Sequence, residues 1–204
     1  YTIGRITVFN DAHLAADHPE YVISDLSGTP LKISSMYWPS AYNRTVWQYK
    51  TELALEAAAL GFNEIQFDYI RFPDGAYKYE QAGTIDYKNI YGESKAQAVQ
   101  RFLMYAAERL HEAGYYVSGD VFGECANAYV TACGQYWPAI SAVVDAISGM
   151  PYPDHYSARG DYKPWEHPYD TVHMFGESAA ARQSETASPA AVRTWIQCYN
   201  AIRE

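Results

Sequence analysis

Short β-rich runs alternate with helical patterns along this chain, and that alternation restricts the fold more than any other feature. Such an order is the signature of βα units around a parallel sheet. The first run is Arg5 to Phe9, closing on Asn10-Asp11. A polar, proline-containing connection follows to about Tyr42. From Asn43 to Leu60 the positions Val46, Tyr49, Leu53, Ala57 and Leu60 recur at helical spacing, with Gly61 as the stop. The second strand is expected over Asn63 to Ile70, before a long aromatic loop from Pro73 to about Gly92. A helix then covers Ser94 to Ala113, with Ala96, Val99, Leu103, Ala106 and Leu110 on one face and Gly114 as C-cap. Tyr115 to Phe122 reads as the third strand, Trp137 to Val143 as a short helix and Val144 to Met150 as the fourth strand. A helix between Pro168 and Gln183 and a fifth strand from Val192 to Tyr199 complete the pattern.

The expected fold is α/β, of the (β/α)8 TIM-barrel type, with about five of the eight βα units present in a single domain. Eight units usually need about 250 residues, and the chain has 204. An open sheet is the alternative.

Several function classes drop out on composition. The net charge is −9 with scattered Lys and Arg, which lacks the basic stripe that a phosphate backbone requires, so no nucleic-acid partner is expected. No apolar stretch approaches the roughly 20 residues of a membrane span. The chain opens inside a strand-like run at Tyr1, with no signal peptide, as a mature or trimmed chain would. Phosphate-binding glycine patterns and metal-ligand spacings of His and Cys are not found, so neither cofactor nor metal is expected. Cys125 and Cys133 are close enough to pair and leave Cys198 over; independent buried thiols fit equally well. The twenty Tyr and five Trp suit stacking on sugar rings or the filling of a core.

Strand parity selects the candidate chemistry, because residues two apart share a face. In the second strand Ile65, Phe67 and Tyr69 form an apolar face suited to packing under helices. Glu64, Gln66 and Asp68 form the polar one, which in a barrel points into the lumen, with Asp68 nearest the C-terminal rim where such folds act. The third strand repeats this arrangement with Tyr116, Ser118, Asp120 and Phe122, followed by Glu124 in the loop. Two acids at one rim are what glycosidic bond cleavage requires. One protonates the leaving oxygen, and the other attacks or activates water. Asp68 and Asp120 are therefore the candidate catalytic pair. Candidate substrate-binding residues are Asp11, Arg71, Glu124, Tyr152 and Gln197. Asp11 closes the face of Arg5, Thr7 and Phe9, and could equally cap the following turn. Arg71 would steady a carboxylate. Tyr152 would wall a subsite together with Tyr77, Tyr79, Tyr87 and Tyr91 of the aromatic loop. Gln197 lies on a face with Trp195 and Tyr199. Asp145, at the opposite end of its strand, reads as structural.

The run Gly61-Phe62-Asn63-Glu64-Ile65-Gln66-Phe67-Asp68-Tyr69-Ile70-Arg71-Phe72-Pro73 resembles the signature of a bacterial family of glycosyl hydrolase domains, distantly similar to amylase-type TIM barrels. The segments Arg5 to Asp11, Ser118 to Gly123 and Val144 to Pro153 match in the expected order. The resemblance implies a TIM barrel acting on carbohydrate, often in secreted or envelope-attached bacterial proteins. It implies that Asp68 ends the fourth barrel strand as nucleophile and Asp120 the fifth as acid/base. It also implies that the first, second and eighth strands are missing, which would leave sheet edges open to self-association or partner contacts. A glycoside hydrolase of a polysaccharide or cell-wall glycan is the leading expectation. A non-catalytic glycan-binding module on the same scaffold is the second, and an unrelated open α/β enzyme the third.

Overall fold

The computed structural model describes residues 1–201. In chain order the elements are β1 (Ile3–Thr7), α1 (Ala12–Asp17), β2 (Ser24–Asp25), β3 (Lys32–Ile33), β4 (Met36–Tyr37), α2 (Arg44–Ala59), β5 (Glu64–Asp68), α3 (Tyr77–Ala82), β6 (Ile85–Asp86), α4 (Lys95–Glu112), β7 (Tyr116–Phe122), α5 (Trp137–Ser141), β8 (Ala146–Met150), α6 (Pro168–Ser184) and β9 (Ala191–Val192). Five strands form one parallel sheet in the order β1-β5-β7-β8-β9. Their spatial order is their chain order, as in a TIM barrel, with β1 and β9 at the edges of the sheet among the described residues. The short pairs β2–β6 and β3–β4 are antiparallel ribbons in the connecting segments.

The two long helices form where the apolar periodicity places them, and side chains fix their starts. Asn43 accepts from the Thr45 and Val46 N–H groups ahead of α2. Ser94 and Gln97 make a reciprocal capping box at α4, satisfying amides that the first turn leaves unpaired. Both helices pack on the outer side of the sheet. Phe102 of α4 is fully buried there, with ring centroids 5.3 Å from Phe9, 6.1 Å from Trp47 and 5.4 Å from Phe67.

Three strand expectations need correction. β1 is Ile3–Thr7 rather than Arg5 to Phe9, anchored early by the Asn63 side chain, which accepts from the Thr2 N–H at 2.8 Å. Its alternation ends at Thr7, so Phe9 joins Phe102 on the helix side instead of sharing a face with Arg5. β5 stops at Asp68 because Tyr69 takes φ +53°, a left-handed conformation that breaks the extended strand. Tyr69 therefore leaves the helix-facing row and turns to the rim. β9 begins at Ala191, and its pairing runs on through Arg193 N–H to Ile147 O (3.0 Å) and Trp195 N–H to Gly149 O (2.9 Å). Beyond Trp195 the ladder ends, short of the expected Tyr199.

Cys125 and Cys133 are buried free thiols, not a disulfide, and Cys198 is exposed and free. Burial pushes the Cys125 thiol well above its ordinary pKa. At the lower end of the sheet Asp145 accepts from the Val117 N–H and lies 2.7 Å from His111 Nε2, tying α4 to β7. Among the described residues no helix is long and apolar enough to cross a membrane.

Candidate active site

The sheet's inner face carries two polar layers, each built by strand parity. In the lower one, Glu64 of β5 accepts from Ser118 Oγ of β7, from Tyr1 Oη at 2.9 Å and from Arg193 Nη2 at 2.8 and 3.0 Å. In the upper one, Arg5 of β1, Gln66 and Asp68 of β5, Asp120 of β7 and Ser148 of β8 are linked by hydrogen bonds and ion pairs, and the Trp195 side chain joins them at Asp120. The sequence pattern Glu64-Gln66-Asp68 is thus an inward row, with all three residues buried.

Asp68 and Asp120 converge on one guanidinium. Arg5 Nη2 donates to Asp68 Oδ2, and Arg5 Nε lies 3.5 Å from Asp120 Oδ2. The other Asp68 oxygen accepts from the Tyr69 N–H at 2.6 Å. Left-handed backbone at a non-glycine residue is sparsely populated and concentrates at functional sites; here it is held by that bond. Asp120 Oδ1 accepts from Gln66 Nε2 at 2.6 Å and from Trp195 Nε1 at 2.9 Å. Its Oδ2 is buried and accepts no hydrogen bond among the described residues, with Arg5 Nε at 3.5 Å. Gln66 also reaches Ser148 Oγ, at 3.1 Å.

Burial, helped by the neighbouring Asp68 charge, raises the Asp120 pKa to about 6 against the opposing Trp195, Arg5 and Gln66 groups. Desolvation prevails because the carboxyl is about 1 % exposed and charge is costly there. Asp120 therefore holds a proton at mildly acidic pH.

A cavity of about 580 Å³ opens over this layer, lined among others by Arg5, Asp68, Tyr69, Arg71, Glu124 and Tyr152. Asp120 is not part of its wall and contacts it through Arg5. Arg71 is buried, with its guanidinium 4.3 Å from the Phe122 ring centroid, 4.9 Å from that of Tyr69 and 5.1 Å from that of Trp38. Its nearest carboxylate is Asp74, at 3.6 Å, so it does not pair with either candidate acid. Glu124 accepts from Tyr129 Oη at 3.0 Å on the cavity's rim. Burial raises the Tyr152 pKa, and the charges of Asp120 and Asp68 add to the shift.

Two candidates lie elsewhere. Asp11 caps α1, accepting from the His13 and Leu14 N–H groups, and its second oxygen holds the buried Lys50 ammonium. That is the capping alternative, with both oxygens committed away from the cavity. Gln197 accepts from the Asp154 N–H at 3.3 Å and donates to Tyr199 O at 3.2 Å, within a separate groove beside α6. The aromatic loop is likewise used for packing. Tyr87 donates to Glu80 and packs on Phe72, Tyr79 reaches Lys32 O, and Tyr91 stacks under Arg44 at 4.1 Å. None of the loop tyrosines lines the cavity.

Arg5 and Trp195 are the contributors that pattern reading undervalued. Parity already set Arg5 on the inner face of its strand, two residues from Thr7. What it could not give was a partner 63 positions away.

Gly123, at the turn after β7, permits the cavity wall to close. A Cβ there would sit 2.0 Å from Tyr156 Oη and 2.9 Å from Pro151 Cα. Gly123→Ala is expected to expel Tyr156 from the wall and to lower stability by about 1–3 kcal/mol, the usual cost of overpacking, as read by urea unfolding.

No curated protein matches the chain. Among solved structures, a hypothetical protein from Ruminiclostridium thermocellum ATCC 27405 is 35% identical with a TM-score of 0.50, over 58% of this chain and 57% of that one. The Bacillus megaterium QM B1551 spore cortex-lytic enzyme is 18% identical with a TM-score of 0.50, over 80% of this chain and 34% of its own. The α-galactosidase from Thermus thermophilus is 14% identical with a TM-score of 0.52, over 98% of this chain and 38% of its own. The chain therefore spans little more than half the length of the first of these and about a third of the other two. At such low identity the last two likenesses concern the fold alone. The match that reaches further is to a family, described as "Putative glycosyl hydrolase domain", over residues 1–204. The chain belongs to that glycosyl hydrolase domain family.

Proposed function

We propose that this domain cleaves glycosidic bonds in a polysaccharide or cell-wall glycan, with Asp68 and Asp120 as the two working carboxylates. The observation that carries this reading is the inner-face pair. One acid is open to the cavity and ion-paired; the other is desolvated, with a pKa raised to about 6. A desolvated acid beside an ion-paired one suits a division of labour between proton donor and base or nucleophile. Asp68, paired with the Arg5 guanidinium and lining the cavity, acts as nucleophile or as the base that activates water. Asp120 is the proton donor.

Arg5 sets the condition for turnover. Its side chain is about half exposed while Asp68 and Asp120 are buried, so it is the movable partner of the three. A sugar entering the cavity draws the guanidinium aside and exposes the Asp120 proton to the glycosidic oxygen. Arg71 and Tyr152 then form the sides of the subsite. A glycan substrate outside the membrane would put the domain in a secreted or envelope-attached protein.

The test is a panel of α- and β-linked glycans, including peptidoglycan and galactosides, incubated with the full-length protein and assayed for new reducing ends. Release from at least one substrate is expected, and proton NMR of the first product gives the anomeric outcome. Sugar binding without release from any glycan supports the non-catalytic module instead. That second reading draws on one observation, the burial of Asp120 behind Arg5.

A further inference from the structure

We infer that the cavity takes an acidic glycan, one whose sugar carries a carboxylate, and that Arg71 and Arg159 are the residues that recognise it. This names the substrate class for the hydrolase reading and rests on that reading for the cavity's role. The starting observation is charge. The protein carries a net −9, yet Arg5, Arg71 and Arg159 line this cavity in equal number with Asp68, Asp74 and Glu124. Arg5 is consumed by the two working acids. The other two arginines have no such duty.

Arg71 is the better built of the pair. Rings of Phe122, Tyr69 and Trp38 surround its guanidinium at 4.3 to 5.1 Å, which fixes its plane. Its Nη1 donates to Phe72 O at 3.2 Å and lies 3.6 Å from Asp74. Nε and Nη2 make no hydrogen bond among the described residues, although the residue is buried and lines the cavity. That leaves the Nε/Nη2 edge of the fork, two parallel donors, without a partner among the described residues in a side chain that lines the cavity. Two parallel N–H groups match the two oxygens of a planar carboxylate and are poorly used by neutral hydroxyls. Asp74 does not neutralise the site, because its side chain is 61 % exposed and so well screened by solvent. Arg159, exposed and part of the same lining, makes no ion pair among the described residues and adds a second positive group.

The experiment compares native and carboxyl-reduced forms of three acidic glycans, namely polygalacturonate, hyaluronan and alginate. Binding to the full-length protein is measured by calorimetry, and hydrolysis by reducing-end release. One charge-assisted bidentate pair predicts a preference of roughly tenfold to a hundredfold for at least one native form. The preference should shrink as salt is raised. Arg159→Gln, at an exposed position, and Arg71→Lys, which keeps the charge but loses the fork, are each expected to narrow the ratio to about threefold or less. Equal affinity for native and reduced forms, or binding of neither across the three, overturns the proposal; so does a preference that survives both substitutions. The two readings separate cleanly. Selective binding without hydrolysis keeps the acidic subsite and rejects the hydrolase. Hydrolysis of neutral glycans without selectivity keeps the hydrolase and rejects the subsite.

Discussion

Asp120→Asn should reduce glycan hydrolysis by about a hundredfold to ten-thousandfold, the usual contribution of a positioned general acid, while leaving the domain folded. The wild-type rate should fall as pH rises through about 6, where Asp120 loses its proton. The variant's residual rate should lack that limb. Asp68→Asn should cost at least as much and keep a basic limb, moved to lower pH because the Asp68 charge that helps to raise the Asp120 pKa is gone. The two variants together therefore assign the roles, where either alone would show only a loss.

Stability should move the opposite way. The folded Asp120 holds its proton more tightly than the unfolded chain does, so its stabilising contribution is complete below the ordinary aspartate pKa. That contribution is lost as pH rises to about 6. Above that point the wild type keeps an ionised carboxyl in a desolvated place. The Asp120→Asn variant keeps the shape without the charge, and the amide oxygen can still accept from Gln66 and Trp195. The variant should thus be more stable than the wild type at pH 8, by up to about 3 kcal/mol, and indistinguishable from it near pH 4. Thermal unfolding at the two pH values measures this. An unchanged difference between them would falsify the desolvated-acid assignment, whatever the activity assay showed.

How much of this could be read beforehand follows from how local each cause is. Parity along five residues of one strand is local, and it correctly separates Glu64, Gln66 and Asp68 from Ile65 and Phe67. The same holds for Ser118 and Asp120 against Val117 and Val121. Helix α4 is legible to within one residue because its stop at Gly114 and its cap at Ser94 are local chemistry too. Parity fails where the backbone leaves the extended region. Tyr69 at φ +53° cannot be anticipated from a β-prone aromatic residue, and it moves that ring from the helix layer to the cavity wall. Phe9 departs from its face for a related reason: regular strand ends at Thr7, although the Val8 and Phe9 N–H groups still donate to Asp68 O and Tyr69 O, and the Phe102 pocket claims the ring. The tyrosines of the Pro73 to Gly92 loop illustrate a different limit. Aromatic richness does not distinguish a sugar-stacking wall from a packed loop, and Tyr87 is held by Glu80, Phe72 and Tyr42. Partners far apart in sequence, such as Arg5 with Asp68 or Trp195 with Asp120, emerge only from the register of the sheet.

Phe102→Ala should unfold the domain more readily than any change in the cavity, because this ring supports the strands that carry the acids. It is fully buried and meets Phe9, Trp47 and Phe67 edge-on, joining α2 and α4 to β5 and to the segment that follows β1. Truncation removes the ring's transfer energy and leaves a void that three neighbouring rings cannot close without leaving their rotamers. Such changes cost about 3–5 kcal/mol. For a chain of this size that corresponds to a fall of roughly 6–20 °C in Tm. The loss should appear as a change in stability with hydrolysis per folded molecule preserved at low temperature, since Phe102 lies on the outer side of the sheet and Asp68 on the inner. A fall in kcat at a temperature where the variant is fully folded would mean that the helix layer sets the position of β5, and with it the Asp68 carboxylate. The expected result is the first. Pairing to β1 and β7 fixes the register of β5 over Glu64 to Asp68 and over Glu64 to Phe67 respectively, and hydrogen bonds on both sides of a strand resist displacement more strongly than one packed ring can enforce it.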